Sequence, residues 1–194
     1  MTIRKRIKKA IKDYSEGDIE NALIQAMIAL DATAKKEGIR GGNADRCKNF
    51  ISKNRDIITR TDFGLLEIQG QITFPYKDKN GKEGTKTFDE IIYHVIRCSL
   101  LHEGKIPETI IFTKKIHFGV DLSGKIILPE RLVFGFIMSV IGSPANKNES
   151  LDVPLTFNLD NHQYSFNSLW GKRDLILKIF GEEAKDWSQK NSAA

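Results

Sequence analysis

The segment Ile91-Ile-Tyr-His-Val-Ile-Arg-Cys-Ser-Leu-Leu-His-Glu-Gly104 has the most informative pattern in this chain. It predicts an apolar helix that carries Arg97 and His102 near its C-terminal end. Core helices usually avoid arginine, because burying its charge without a partner is costly. Arginine supplies a permanent cation, and histidine supplies a base that titrates near neutral pH. Together these two side chains have the chemistry needed to bind and cleave a phosphodiester.

The spacing of Arg97 and His102 leaves two interpretations open. Residues five positions apart on an ideal helix point in directions that differ by about 140°. The backbone could unwind at Gly104 and re-aim the histidine, or two copies of the chain could bring their pairs into one cleft across a two-fold axis. Alternatively, Arg97 pairs with a carboxylate of another helix and His102 caps the C-terminus of its own helix.

Apolar periodicity places helices on both sides of this stretch. Three amphipathic helices are predicted before it, at about residues 3–14, 19–37 and 47–58, with the second expected to stop near Gly38. Thr87 or Asp89 is the expected N-cap of the helix that carries Arg97. A further helix, at about residues 132–141, is apolar on nearly every side, so it should be central.

Alternation with a period of two predicts short strands between the helices. The sequence therefore indicates a mainly α fold, an up-and-down helical bundle with short β-hairpin insertions. We expect one domain over residues 1–194, with a helical core at about 3–142 and 168–180 and β insertions at about 65–76, 109–128 and 152–166.

Composition narrows the class of protein. No apolar run is long enough to cross a membrane, since a spanning helix needs about 20 residues. Cys47 and Cys98 lack metal-ligand spacing and fit a reduced, cytoplasmic setting. The net charge is +5, and six basic residues precede residue 13. This cluster would attract phosphates, although a solvated helix face explains it equally well.

Tyr93-His-Val-Ile-Arg-Cys-Ser-Leu-Leu-His-Glu-Gly104 resembles the signature helix of HEPN domains, the prokaryotic and eukaryotic nucleotide-binding helical family. The motif of that family is an arginine followed, four to six positions later, by a histidine, and Arg97 and His102 match it. The helix from Glu20 to Lys36 is similar to the long, alanine-rich helix of the family, with an acidic residue in its second half.

The resemblance implies a metal-independent endoribonuclease that needs no cofactor and acts as a homodimer, in a toxin or phage-defence system with an antitoxin or defence partner. Arg97 and His102 would be catalytic, and Tyr93, Cys98 and Glu103 would contact RNA. The expected products carry 2′,3′-cyclic phosphate and 5′-hydroxyl ends. The family often has asparagine or another strongly polar residue where this chain has Cys98. A non-catalytic HEPN module that binds RNA, nucleotide or a protein partner is the alternative.

Overall fold

The computed structural model describes residues 2–63, 71–77, 81–115, 117–159 and 162–181. Its N-terminal helices follow the apolar periodicity: α1 (Ile3–Ser15) and α2 (Ile19–Lys36) pack against each other. Asp18 caps α2 by accepting a hydrogen bond from the backbone N–H of Asn21. Among the residues described, no helix has both the length and the apolar character to span a bilayer.

The third predicted helix is two helices, α3 (Asn43–Lys53) and α4 (Arg55–Phe63). The break lies at Asn54, whose φ of −107° and ψ of 14° leave the helical region. Its side-chain amide donates to the carbonyl of Phe50 at 2.9 Å, and its Oδ1 accepts a hydrogen bond from Arg173 at 2.7 Å. An asparagine side chain competes with the backbone for such bonds and thereby ends a helix.

The segment with Arg97 forms one continuous helix, α5, built from the stretches Phe88–Glu90, Ile91–Arg97 and Cys98–His102. The apolar helix α6 (Leu132–Gly142) is central, as expected, and packs against α1, α2 and α4. The last predicted helix is shorter than expected. It covers residues 173–181 after a single 3₁₀ turn at Phe166–Ser168, because Gly171 interrupts it with a φ of +74°.

The strands form three small sheets. Strands β1 (Thr73–Lys77) and β2 (Glu83–Thr87) are an antiparallel pair, as are β6 (Thr156–Leu159) and β7 (His162–Ser165). In the third sheet β5 (Ile126–Pro129) lies between β3 (Ile110–Thr113), which it pairs in parallel, and β4 (Gly119–Val120), which is antiparallel to it. The predicted insertion at 65–76 lies partly outside the described residues, as do residues 160 and 161 within the third insertion.

The prediction of a mainly α, up-and-down helical bundle of the HEPN type is wrong. The described residues are 55% helical and 17% strand, so the fold is mixed α/β. The error was to regard the strands as insertions on a helical core. Ile110, Ile126 and Leu128 are buried with the helices. The hairpin predicted within residues 109–128 is present as the antiparallel pair β4–β5, but β3, which was expected to belong to that hairpin, pairs with β5 in parallel.

Candidate functional site

A capping box fixes the start of α5. The side-chain oxygen of Thr87 accepts a hydrogen bond from the backbone N–H of Glu90 at 3.4 Å. In return the Glu90 carboxylate accepts one from the backbone N–H of Thr87 at 2.9 Å. These two bonds satisfy backbone donors that the first turn leaves free. The prediction that Thr87 or Asp89 caps this helix is confirmed for Thr87.

The middle of α5 is a π-helix, which the sequence did not indicate. It covers Ile91–Arg97 and ends where the backbone N–H of Cys98 donates to the carbonyl of Tyr93, five residues earlier. Ile91, Ile92 and Ile96 from this stretch are fully buried. π-Helical turns are rare and are frequent at functional sites. Arg97 is the last residue of the π-helical stretch, and α-helical geometry resumes at Cys98.

Arg97 occupies a half-buried position between α5 and α2. Its guanidinium carbon lies 5.0 Å from the centre of the Tyr93 ring, within the range of a cation–π contact. Its Nη2 lies 3.5 Å from Oδ2 of Asp31, at the outer limit of a hydrogen bond. The Arg97 side chain is 12% exposed and that of Asp31 is 25% exposed. The open interpretation in which Arg97 pairs with a carboxylate of another helix is therefore confirmed, and the carboxylate is that of Asp31.

The Arg97–Asp31 pair does not use all of its hydrogen-bonding capacity. Nε of Arg97 and Oδ1 of Asp31 are both buried and lack a partner among the residues that the structure describes. A buried polar group without a partner destabilises the fold. The contacts with Tyr93 and Asp31 therefore hold the guanidinium in position, while its buried Nε makes no hydrogen bond to the described residues.

His102 lies at the C-terminal end of the same helix and is exposed. Helical geometry is kept through His102, and the chain turns only at Gly104, whose φ is +73°. The directions of Arg97 and His102 therefore differ by about 140°, as an unbroken α-helix requires. Within the described part of the chain no hydrogen bond joins them. One protomer brings Tyr93 to Arg97 but does not bring His102 there.

The other two predicted site residues flank this arrangement. Cys98 is half-buried, directly after Arg97. Glu103 is exposed and follows the last helical residue, where its backbone N–H donates to the carbonyl of Ser99 at 2.7 Å. Asp31 was not predicted as a site residue. The sequence could have indicated this residue, because it is the sole acidic residue between Glu20 and Glu37 in an otherwise largely buried helix.

His94 lies on the exposed side of α5, and its ring meets that of Tyr93 edge-on at 4.9 Å. Partial burial lowers the pKa of His94, and Lys48 and Lys86 lower it further against the opposing charge of Glu90. Its imidazole is therefore mostly neutral at pH 7. Although His94, Cys98 and His102 recur at helical spacing, no group of three potential ligands able to hold a metal ion occurs among the described residues.

Cys47, on α3, is the fully buried neighbour of this site. Burial raises the pKa of its thiol to about 12, and the positive charge of Arg97 only partly offsets that effect. We expect iodoacetamide at pH 8 to modify Cys98 and leave Cys47 unmodified, since the thiolate is the reactive form. Mass spectrometry of the native protein should show a single adduct on Cys98.

The same treatment in strong denaturant should modify both cysteines. Equal rates at Cys47 and Cys98 in the native protein would contradict the buried position of Cys47.

Comparisons with known proteins give one match. The model of a family described as Rv1289 matches residues 2–192. No curated protein and no solved structure matches the chain.

Proposed function

This chain belongs to the Rv1289 family, and we propose that it cleaves RNA without a metal ion. In this proposal two copies of the chain form a composite site, in which Arg97 of one copy and His102 of the other act on the same phosphodiester. The observation that carries the proposal is the state of Arg97. This arginine is half-buried between α5 and α2, where Tyr93 and a long contact with Asp31 hold its guanidinium in position.

Arg97 is suited to bind the scissile phosphate. A guanidinium offers several donors in one plane and binds phosphate oxygens in pairs. The contact with Tyr93 and the long contact with Asp31 orient the group before the substrate arrives. A donor that is already oriented stabilises the charge that develops on the phosphate in the transition state, because no reorganisation is needed at that moment.

His102 supplies the proton transfer. The imidazole accepts the proton of a ribose 2′-hydroxyl while the 2′-oxygen attacks the phosphorus. The bond from phosphorus to the 5′-oxygen breaks, and that oxygen takes a proton from water or from the protonated His102 and leaves as a 5′-hydroxyl. The other product is a 2′,3′-cyclic phosphate. The 2′-oxygen of the RNA is the nucleophile, so the reaction needs no metal ion and no second substrate.

The proposal requires two copies of the chain because Arg97 and His102 of one protomer point in different directions. Arg97 points towards α2, whereas His102 is exposed and has no side-chain partner in the described part of the chain. A two-fold axis beside α5 would bring His102 of one copy to Arg97 of the other, and would form the same arrangement twice. This proposal uses the spacing of the motif and does not require a helical-bundle fold.

A second candidate is a module that binds RNA without cleaving it. The contact between Arg97 and Asp31 favours it, because a carboxylate already partly neutralises the guanidinium. Cys98 favours it as well, since a thiol is a weak hydrogen-bonding group. Such a module would retard RNA on a gel in a salt-dependent way and leave it intact.

The decisive experiment compares variants in EDTA. The wild type should cleave a short synthetic RNA to products with 2′,3′-cyclic phosphate ends. We expect Arg97→Ala and His102→Ala each to lower the rate at least ~100-fold, the usual effect of losing an oxyanion donor or a general base.

His162→Ala is the matched control, because it removes an exposed histidine on β7 and should keep the wild-type rate. Equal cleavage by all four proteins would identify a contaminating nuclease. RNA that stays intact but is bound would favour the module over the enzyme.

A further inference from the structure

A basic groove is formed by α1 and residues near the start of β6, far from Arg97 in the sequence. It runs between the exposed side of α1 and the segment that precedes β6, and its volume is about 560 Å³. Four lysines of α1 line it, and Ile11 and Leu155 supply apolar surface within it. The lysines are Lys5, Lys8, Lys9 and Lys12.

The groove keeps an excess of positive charge despite its ion pairs. Lys8 pairs with Asp152 at 2.8 Å, and Lys9 pairs with Asp13 at 2.9 Å. Lys12 lies 3.7 Å from Glu16, a long contact between two exposed side chains. Lys5 has no ion pair among the residues that the structure describes. Asp13 is buried, but the pairs of Lys8 and Lys12 join exposed side chains and contribute little free energy, so an incoming polyanion can replace these two.

The spacing of these lysines fits an extended polyanion. Lys5, Lys8 and Lys12 recur at intervals of three and four residues, which places them along one side of α1. From Lys5 to Lys12 the helix rises by about 10 Å. A row of cations of that length can contact successive phosphates of a nucleic-acid strand.

We propose that this groove binds the phosphate backbone of single-stranded RNA, with unpaired bases packing on Ile11 and Leu155. The proposal rests on the function proposed above and extends it by naming where the substrate is held. Proteins that bind single strands commonly combine a basic groove with aromatic side chains on which bases stack, and here the apolar side chains of Ile11 and Leu155 take that place. A duplex has its bases stacked inside and would leave the apolar part of the groove unused.

A lipid surface fits α1 less well than RNA does. A helix that lies on a membrane inserts its apolar side among the lipids. On α1 that side is occupied, because Ile7 and Ala10 are fully buried against the neighbouring helices. Only the cationic side remains available, and it suits a soluble polyanion.

The groove and Arg97 belong to one continuous structural unit. Helices α1 and α5 both pack against α2, which joins the groove and the Arg97 site in one packed body. This arrangement separates binding from chemistry. The groove would supply affinity, and the composite site would supply cleavage.

The test measures binding of a fluorescent 2′-O-methyl RNA, which cannot be cleaved by its own 2′-oxygen. Fluorescence anisotropy at several salt concentrations gives Kd and its salt dependence. We expect Lys5→Gln/Lys8→Gln to raise Kd ~10-fold and to lower the slope of log Kd against log salt by about 1.4, or 0.7 for each lost phosphate contact. The matched control, Lys125→Gln/Lys172→Gln, removes the same charge elsewhere and should leave the slope unchanged.

A further variant is expected to tighten RNA binding, which a folding defect would not do. Asp152→Asn removes the carboxylate that forms an ion pair with Lys8, so it should lower the Kd for RNA about threefold. Unchanged Kd in both groove variants would overturn the proposal, and so would equal losses in the control. Binding to phosphatidylserine vesicles that depends on the same lysines, with RNA binding unaffected, would assign the groove to lipid.

The outcome is independent of the cleavage assay. If the groove variants bind normally while Arg97→Ala abolishes cleavage, the groove proposal fails and the nuclease stands. If the groove variants lose binding but the wild type never cleaves, the groove stands and the nuclease fails.

Discussion

An equimolar mixture of Arg97→Ala and His102→Ala protein is expected to recover about a quarter of the wild-type rate of RNA cleavage, although each variant alone is inactive. In a mixed dimer, the intact Arg97 of one copy faces the intact His102 of the other, and the second site loses both residues. Random exchange makes half of the dimers mixed, and each of these has one of its two sites intact. The measurement is the initial rate after co-refolding or prolonged exchange.

This result would distinguish a composite site from a site within one protomer, where no mixture could recover activity. A mixture of Arg97→Ala with the double variant Arg97→Ala/His102→Ala is the control and should stay inactive. Native mass spectrometry must show that mixed dimers are present. Mixed dimers without any recovery would contradict the composite site. A strictly monomeric protein would do the same.

Gly135→Ala is expected to lower the free energy of unfolding by about 2 kcal/mol, and Gly135→Val by more. Gly135 lies on α6 where this helix crosses α4. A Cβ at this position would lie 2.6 Å from Oγ1 of Thr61 and 2.8 Å from the backbone carbonyl oxygen of Ile58. The carbonyl cannot move without shifting α4. Alanine normally favours a helix over glycine by up to about 1 kcal/mol, so a loss here would reveal the close approach of the helices.

The urea midpoint of each variant, followed by circular dichroism, checks this expectation. Gly84→Ala is the control, because a Cβ at Gly84 meets nothing within 4 Å. That variant should change the unfolding free energy by less than about 0.5 kcal/mol. If Gly135→Ala proves as stable as the wild type, the two helices do not approach each other as closely as the structure has them.

Helix caps and buried helix sides could be predicted from the sequence because they depend on residues only a few positions apart. The Thr87 cap is one such signal, since a threonine followed three residues later by a glutamate satisfies two backbone donors within four residues. The apolar stripe of α1 is another, because its period fixes which side is buried whatever it packs against. The uniform apolarity of α6 likewise indicated a central helix.

The site was predictable only in part. The spacing left two interpretations open, one in which Arg97 and His102 meet in one cleft and one in which Arg97 pairs with a carboxylate of another helix. The identity of the carboxylate depends on how α2 crosses α5, and Asp31 is 66 positions away along the chain. The π-helical turns before Arg97 were not predictable, because their hydrogen bonds use the backbone, and side-chain periodicity does not report them directly.

Sequence patterns were enough to predict where α1, α2 and α5 begin, which side of α1 is apolar, and that a cation and an imidazole share one helix. Tertiary structure decided that β3 and β5 pair in parallel, that the strands join the core, and that Arg97 meets Asp31. The physical reason is distance along the chain. Caps and periodicity involve neighbours within a few residues, whereas strand pairing and helix crossing join distant segments whose relative positions are set by packing the whole core.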